Sequence, residues 1–139
     1  MKFATAALII ALTADTAITR TAWAADAPRD RRSTSTSVQT GLASYYARNT
    51  QGKETASGET HDNAELVAAH PTLPFGTRVR VTNLENDRAV VVRITDRGPS
   101  AQNRKEGVII DVSRAAADRL DMKEDGRVKV RVEVVASKR

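Results

Sequence analysis

Residues 77–95 read TRVRVTNLENDRAVVVRIT and contain the clearest strand pattern in the chain. Valine alternates with arginine and threonine in the first half, and valine and isoleucine dominate the second half. β-Branched residues with a period of two favour strands that bury one face. Between the halves, Glu85, Asn86 and Asp87 have the composition of a tight turn. The stretch therefore predicts two strands joined by a short turn.

Three further segments have strand patterns, and two have the pattern of a short helix. The strand segments are GLASYYA (41–47), GVIIDVS (107–113) and RVKVRVEVV (127–135), the last with valine at every second position. Asp62 precedes NAELVAAH (63–70) as an N-cap, which predicts one helical turn that runs into an extended piece. Ser113 caps SRAAADRL (113–120) in the same way. Short strands without a strand–helix–strand rhythm predict a mainly β fold, a small closed six-stranded barrel with one or two short helices.

The ends of the chain differ in composition from the barrel segment. Residues 1–24 combine Lys2, an apolar run and an Ala-Trp-Ala sequence, which together predict a cleaved signal peptide. Residues 25–40 are rich in Ser, Thr and charge, which predicts a flexible linker, and residues 136–139 form a basic tail. The barrel is therefore expected at 41–135, in a soluble periplasmic or secreted protein. The sequence contains no Cys, so neither a disulfide nor a lipid-anchor Cys is expected.

The formal net charge of +5 comes mostly from the ends of the chain. Residues 41–135 contain fifteen Lys and Arg against fourteen Asp and Glu. No cluster of basic and aromatic residues marks a nucleic-acid surface. We expect no nucleic-acid partner, no stable membrane insertion and, as the default, a monomer.

Three acidic residues lie where a loop or a strand end would hold a carboxylate in place. Glu59 follows a Ser-Gly pair in a turn-rich loop, Asp96 ends an apolar strand before Arg-Gly-Pro, and Asp111 lies inside a strand segment. Each also has an ordinary interpretation: an exposed loop acid, a turn former, and a helix-cap or buried hydrogen-bonded acid. No nucleophile elbow, phosphate-binding loop or EF-hand accompanies them. Carboxylates on loops suit cleavage of a glycosidic bond, in which one acid must protonate the leaving oxygen.

The two histidines, His61 and His70, have no metal-binding context. The sequence contains no Cys and no His-Glu-x-x-His motif, so no metal and no cofactor are predicted. His70 lies between an apolar stretch and Pro71, where a structural hydrogen-bonding role is as compatible with the pattern as a catalytic one. Arg97, next to Asp96, is compatible with a structural ion pair.

The chain resembles the rare lipoprotein A family, the septal ring lytic transglycosylases. Five segments carry the resemblance in order and spacing: GLASYYA, TASGE, LVAAHPTLPFGTRVRVTNLEN, VVVRITDRGP and IIDVSRAAADRL. It covers about residues 41–135, and it implies a double-psi β-barrel, as in expansins and barwin-like proteins. It also implies a groove over the barrel that binds bacterial wall glycan.

The resemblance implies catalytic roles for Asp96, Glu59 and His70. Asp96 is the first choice for the proton donor, with Glu59 stabilising positive charge or sharing the proton, and these two roles can be exchanged. His70 is expected to orient one carboxylate through a hydrogen bond, and all three side chains are expected to converge at one open end of the barrel. Five further residues are expected to bind the glycan, with Arg97 on a muramoyl lactyl or peptide carboxylate: Asp111, Arg97, Ser44, Tyr46 and Phe75.

The function implied is endolytic cleavage of peptidoglycan between N-acetylmuramic acid and N-acetylglucosamine. In such an enzyme the C6 hydroxyl closes on C1 and leaves a 1,6-anhydromuramoyl end, in wall remodelling or daughter cell separation. An alternative is a non-catalytic, expansin-like protein that binds and loosens the wall. A third interpretation is a secreted interaction or inhibitor protein on the same barrel.

Overall fold

The computed structural model describes residues 37–137. The predicted signal peptide, most of the predicted linker and the last two residues of the basic tail lie outside them. The strands are β1 (Val38–Tyr45), β2 (Val67–Ala69), β3 (Arg78–Asn83), β4 (Ala89–Asp96), β5 (Val108–Val112) and β6 (Val128–Ala136). Two short helices, α1 (Ala101–Lys105) and α2 (Arg114–Arg119), and a 3-10 turn (Arg48–Thr50) complete the described part of the chain.

The six strands close into a barrel in the order β1-β5-β2-β4-β3-β6. β1 pairs with β5 and β2 with β4 in parallel, and the other four pairs are antiparallel. β6 pairs with both β1 and β3, so the regular final strand has no free edge. The predicted mainly β, six-stranded closed barrel with two short helices is confirmed.

Alternating valines fill the barrel. In β6, Val128, Val130 and Val132 are buried, whereas Lys129 and Arg131 between them are exposed. β3 and β4 follow the same alternation, and the interior side chains from these strands are Val79, Val81, Val90, Val92 and Ile94. Each fully buried side chain of this size stabilises the fold by about 1.5–3 kcal/mol. The predicted strands of residues 77–95 and their turn are therefore present, and they form one wall of the core.

The first and last strands extend beyond the predicted domain. β1 begins at Val38, inside the segment predicted as linker, and β6 ends at Ala136 instead of residue 135. Val38 to Thr40 have little to bury, but each pairs with a residue of β6. Backbone pairing to a well-formed neighbour thus orders a segment whose composition alone is typical of a linker.

One of the two helices is not where the sequence predicts it. Asp62 does cap a turn, because its Oδ1 accepts from the Ala64 N–H at 2.9 Å, but the chain then enters β2 without forming a helix. The additional helix is α1, where the Ser100 hydroxyl accepts from the Asn103 N–H at 3.3 Å. Ser113 caps α2 as predicted, since it accepts from the Ala116 N–H at 3.3 Å.

Candidate functional site

The shortest strand brings two acidic residues to one end of the barrel. Ala69, the last residue of β2, pairs with Asp96 of β4 on one side and with Asp111 of β5 on the other. Neighbouring strands lie about 4.8 Å apart, so the two acids stand about 10 Å apart at the backbone. Gly98 packs against this point: a Cβ there would lie 3.3 Å from the Ala69 Cβ and 3.5 Å from Asp111 Oδ2. The backbone after Asp96 can therefore approach Asp111 closely.

Neutral donors hold the Asp96 carboxylate in one orientation. Its Oδ2 accepts a hydrogen bond from the Tyr46 hydroxyl at 2.7 Å. Its Oδ1 accepts from the backbone N–H groups of Ala56 at 2.9 Å and Arg97 at 2.8 Å. No salt bridge to Asp96 forms among residues 37–137. The carboxylate is thus positioned by three contacts, with no cation bonded to it in this part of the chain.

The surroundings of Asp111 favour the protonated form of its carboxyl group. Burial raises its pKa above the usual value, and the negative charge of Asp96 raises it further, whereas the Ser44 hydrogen bond and Arg127 act in the opposite direction. The Ser44 hydroxyl donates to Asp111 Oδ1 across the β1–β5 pair. Burial, the hydrogen bond to Asp96 and the charges of both aspartates raise the pKa of Tyr46 far above its usual range. Tyr46 is therefore a neutral hydrogen-bond donor between two interacting acids.

The two aspartates line one open depression of about 420 Å³. We call it the aspartate groove, and its walls are Tyr46, Pro71, residues 96–101, Arg104 and Asp111. Beneath Tyr46 lies the buried ring of His61, with the two ring centres 4.2 Å apart. The groove is wide enough for a sugar residue and presents two carboxylates and a phenol to it.

Glu59 lies in a different depression. Its Oε2 accepts from Arg93 Nη1 at 2.7 Å, and its side chain is 51 % exposed. Together with Ser57, Phe75 and Arg78 it lines an open volume of about 580 Å³, which we call the Glu59 depression. Glu59 is therefore bonded to Arg93 and lines a different depression from Asp96, while its expected catalytic role stays a prediction.

A stacked pair separates the two depressions. The Arg97 guanidinium lies 4.0 Å from the ring centre of Phe75, and Arg97 lines the aspartate groove whereas Phe75 lines the Glu59 depression. Arg97 Nη1 also donates to the backbone carbonyls of His70 at 3.2 Å and Leu73 at 2.8 Å. The Arg97 guanidinium thus holds the 70–73 turn and covers one face of Phe75, and its expected role as a binder of a substrate carboxylate stays a prediction.

The His70 side chain bonds to neither carboxylate. Its Nδ1 accepts from the backbone N–H groups of Thr72 and Leu73, both at 3.1 Å, so the ring proton is on Nε2, which donates to Gln39 Oε1 at 2.9 Å. Burial lowers the pKa of His70, and Arg97 lowers it further. Among residues 37–137 the expected hydrogen bond from His70 to a catalytic acid does not form, and the His70 backbone N–H donates to the Asp96 carbonyl at 3.1 Å.

The structure brings together five of the eight predicted site residues and places the other three elsewhere. Asp96, Asp111, Tyr46, Ser44 and Arg97 surround or support the aspartate groove. Glu59 and Phe75 line the neighbouring depression, and His70 stabilises a turn. Arg104 in the groove wall was not predicted, and the only signal for it was the Ser100 cap of the short helix that carries it.

Neither a metal-binding cluster nor a membrane-spanning helix is found in the described part of the chain. Across residues 37–137, no group of three or more His, Asp or Glu side chains is arranged to hold a metal ion. Within the same range, no helix has both the length and the apolar character needed to cross a membrane.

Comparison with known proteins links the chain to enzymes of the bacterial wall. A family model described as "Lytic transglycolase" matches residues 38–132. Over 95 residues, the chain is 54 % identical to the "Probable endolytic peptidoglycan transglycosylase RlpA" of Treponema pallidum, which covers 68 % of this chain and 29 % of that protein. It is 48 % identical over 95 residues to the "Endolytic peptidoglycan transglycosylase RlpA" of Campylobacter jejuni, or 68 % of this chain and 33 % of that protein. The chain thus matches about a third or less of these relatives' own length.

Two solved structures share the barrel. Streptomyces papain inhibitor superposes with a TM-score of 0.57 at 26 % identity, over 72 % of this chain and 96 % of the inhibitor. The apo form of an expansin from Clavibacter michiganensis superposes with a TM-score of 0.56 at 18 % identity, over 74 % of this chain and 52 % of the expansin, which shows the fold alone. The barrel is a double-psi β-barrel, as the resemblance implied, and the chain belongs to the lytic transglycolase family.

Proposed function

We propose that this barrel is an endolytic peptidoglycan lytic transglycosylase that cleaves between N-acetylmuramic acid and N-acetylglucosamine. The observation that carries the proposal is the pair of interacting aspartates, Asp96 and Asp111, facing one open groove. Family membership and the names of the relatives support the substrate class. The site of action is then outside the cytoplasm, in wall remodelling or daughter cell separation, and export by the predicted signal peptide of residues 1–24 fits this location.

The two aspartates have different roles in the proposed reaction. Asp111, whose pKa is raised mainly by burial, donates its proton to the glycosidic oxygen as the C1–oxygen bond breaks. Three donors hold the Asp96 carboxylate in place, and it stabilises the positive charge that develops on the sugar. The C6 hydroxyl oxygen then attacks C1, and its proton passes to Asp111, which restores the starting state.

This division differs from the sequence-based first choice, which made Asp96 the donor and Glu59 its partner. The negative charge of Asp96 contributes to the raised pKa of Asp111, so Asp96 helps Asp111 to hold the proton that it donates. Glu59 is ion-paired with Arg93 in the next depression, which supports a role in binding the strand beside the cleavage point.

The open shape of the site supports endolytic cleavage. The aspartate groove adjoins the Glu59 depression at the Arg97–Phe75 stack, and on another side it shares Pro71 and Arg104 with a third, smaller depression. A glycan strand can therefore lie across the cleavage point without an end being recognised. Such a surface provides contacts on both sides of the broken bond.

Digestion of purified sacculi tests the proposal. We expect 1,6-anhydromuramoyl ends in the soluble products by mass spectrometry, and none from an Asp96→Asn control purified in parallel. Ends with only reducing sugars would mean hydrolysis and would contradict the proposed closure by the C6 hydroxyl. Sedimentation of the protein with uncut sacculi would instead support the alternative of a wall-binding, expansin-like protein.

A further inference from the structure

A depression of about 250 Å³ lies next to the aspartate groove, and we call it the side depression. Its apolar wall consists of Val108 and Ile109 of β5. Pro71 and Arg104 line both the side depression and the aspartate groove, so the two depressions adjoin. A branch that leaves a sugar held in the groove would therefore enter the side depression beside Arg104.

Arg104 is the exposed cation at this junction. It lies in the last turn of α1, and its guanidinium forms no ion pair and no hydrogen bond with any residue in 37–137. Other arginines near the barrel end are occupied, since Arg93 pairs with Glu59 and Arg97 donates to two carbonyls. The two acids of the groove bond to hydroxyls and backbone N–H groups instead of to Arg104. A planar guanidinium without a partner at the mouth of a depression suits a carboxylate ligand.

The remaining walls match a short, partly apolar branch. Val108 is buried and Ile109 is half-buried, which suits a methyl group. Gln39 Oε1 is taken by His70, which leaves the Gln39 amide N–H groups as donors to a carbonyl in the same depression. Thr72 adds a hydroxyl. The depression thus combines one cation, two neutral polar groups and an apolar floor.

From this arrangement we infer that Arg104 binds a carboxylate on the branch at C3 of the muramoyl residue, and that the side depression holds the rest of that branch. The inference rests on the proposed function and adds a specificity residue to it. The branch of muramic acid is a lactyl ether with one methyl group. Its carboxylate is free when the peptide stem is absent, whereas in stem-bearing glycan the carboxylates belong to the peptide. Both sources present the same chemistry to the guanidinium.

Binding measurements on three glycans test this assignment, using Arg104→Gln with Lys105→Gln as the matched control. Lys105 is exposed on the same helix and lines neither depression. Its replacement by Gln removes one positive charge, as Arg104→Gln does, but away from both depressions. The ligands are stem-free muramoyl oligosaccharides, stem-bearing ones, and chitooligosaccharides, which have no branch at C3. We expect Arg104→Gln to weaken binding of at least one branched glycan by roughly tenfold, to leave the chitooligosaccharide unchanged, and to be partly rescued by Arg104→Lys. Lys105→Gln should bind all three like the parent protein.

The pattern of losses identifies the source of the carboxylate. A loss confined to stem-free glycan assigns the lactyl carboxylate, and a loss confined to stem-bearing glycan assigns the peptide. Equal affinity of Arg104→Gln and the parent for both branched glycans, or an equal loss on the chitooligosaccharide, would overturn the inference. When all of these proteins also carry Asp96→Asn, which is expected to prevent cleavage, binding is read without cleavage, and its outcome is separate from that of the proposed function, which fails if no 1,6-anhydro ends form.

Discussion

The aspartate groove and the Glu59 depression adjoin at the Arg97–Phe75 stack, yet they hold their carboxylates in opposite ways. Asp96 and Asp111 take hydrogen bonds from hydroxyl and backbone N–H groups in partly buried positions. Glu59 is half exposed and bonded to a guanidinium. Neighbouring acids without a bonded cation compete for protons, whereas an ion-paired carboxylate acts as a fixed charge. In the proposed function this difference assigns proton transfer to the aspartate groove and strand binding to Glu59, although all three acids belong to equally clear sequence motifs.

The largest effect is expected from removing either acid of the groove. Asp96→Asn should lower the rate of 1,6-anhydro end formation by roughly a thousandfold, because it removes the carboxylate that stabilises positive charge, and Asp111→Asn by a similar factor, because it removes the proton donor. Asn at position 96 can keep an oxygen for the two backbone N–H donors, so the melting temperature should change little. A fully active Asp111→Asn protein would remove Asp111 from the mechanism and return the donor role to Asp96.

His70→Phe should mainly reduce stability, because His70 lines neither the aspartate groove nor the Glu59 depression, and only borders the side depression. The ring fits the same space but leaves the N–H groups of Thr72 and Leu73 without their acceptor, which costs about 2–3 kcal/mol in the free energy of unfolding. Chemical denaturation measures this loss. Folded protein at low temperature should retain most of its activity, whereas a folded but inactive variant would show that His70 takes part in the chemistry.

His70 also predicts how stability depends on pH. Because burial lowers its pKa from the usual 6.5, the unfolded chain binds the proton more readily than the folded protein. The contribution of His70 to stability is therefore complete above pH 6.5 and is lost as the pH falls from that value through its lowered pKa. Melting curves of the parent should decline through this window more steeply than those of His70→Phe.

A smaller effect on activity is expected on the Glu59 side. Glu59→Gln should reduce cleavage by roughly tenfold, mostly through weaker substrate binding, because an exposed charge contributes little more. Arg93→Gln should produce a comparable loss, and the double variant should be less than additive, since the two residues form one ion pair. A loss of the size expected for Asp96→Asn would place Glu59 in the proton transfer.

The smallest expected effect is a gain in stability. The pKa of Asp111 is raised in the folded protein, so the fold binds its proton more tightly and loses that contribution as the pH rises through the raised value. Asp111→Asn should therefore melt a few degrees higher than the parent at pH 7, and the gain should disappear below the usual pKa of 3.8. A lower melting temperature at pH 7 would mean that the Ser44 contact outweighs the cost of burying the charge.

Strand positions were predictable wherever burial alternates along the chain, as in β6 with Val128, Val130 and Val132. The start of β1 was not, because Val38 to Thr40 are ordered by pairing with β6 and bury little themselves. Helix α1 was also missed, since its only local signal is the Ser100 cap. Patterns with a short period are readable in one segment, whereas order imposed by a distant strand is not.

The candidate site was predictable as a set of residues but not as a set of partners. Asp96 was singled out at the end of a strand and Asp111 inside a strand segment, and both line the groove. Arg97 contacts Phe75 and two carbonyls, and His70 contacts Gln39. These contacts depend on which loops the folded barrel brings together, and the sequence of one segment does not show that. For the same reason the sequence did not show that Glu59 accepts a hydrogen bond from Arg93, which is thirty-four positions away.

The three-residue strand β2 has a consequence for when the protein becomes competent. β2 lies between β4, which carries Asp96, and β5, which carries Asp111. The two acids are therefore brought together only after β2 has docked between these strands. In an extended polypeptide the two acids are fifteen residues apart in sequence and form no pair. Under the proposed function, cleavage of the wall therefore requires closure of the barrel, and a chain that has not yet folded is latent.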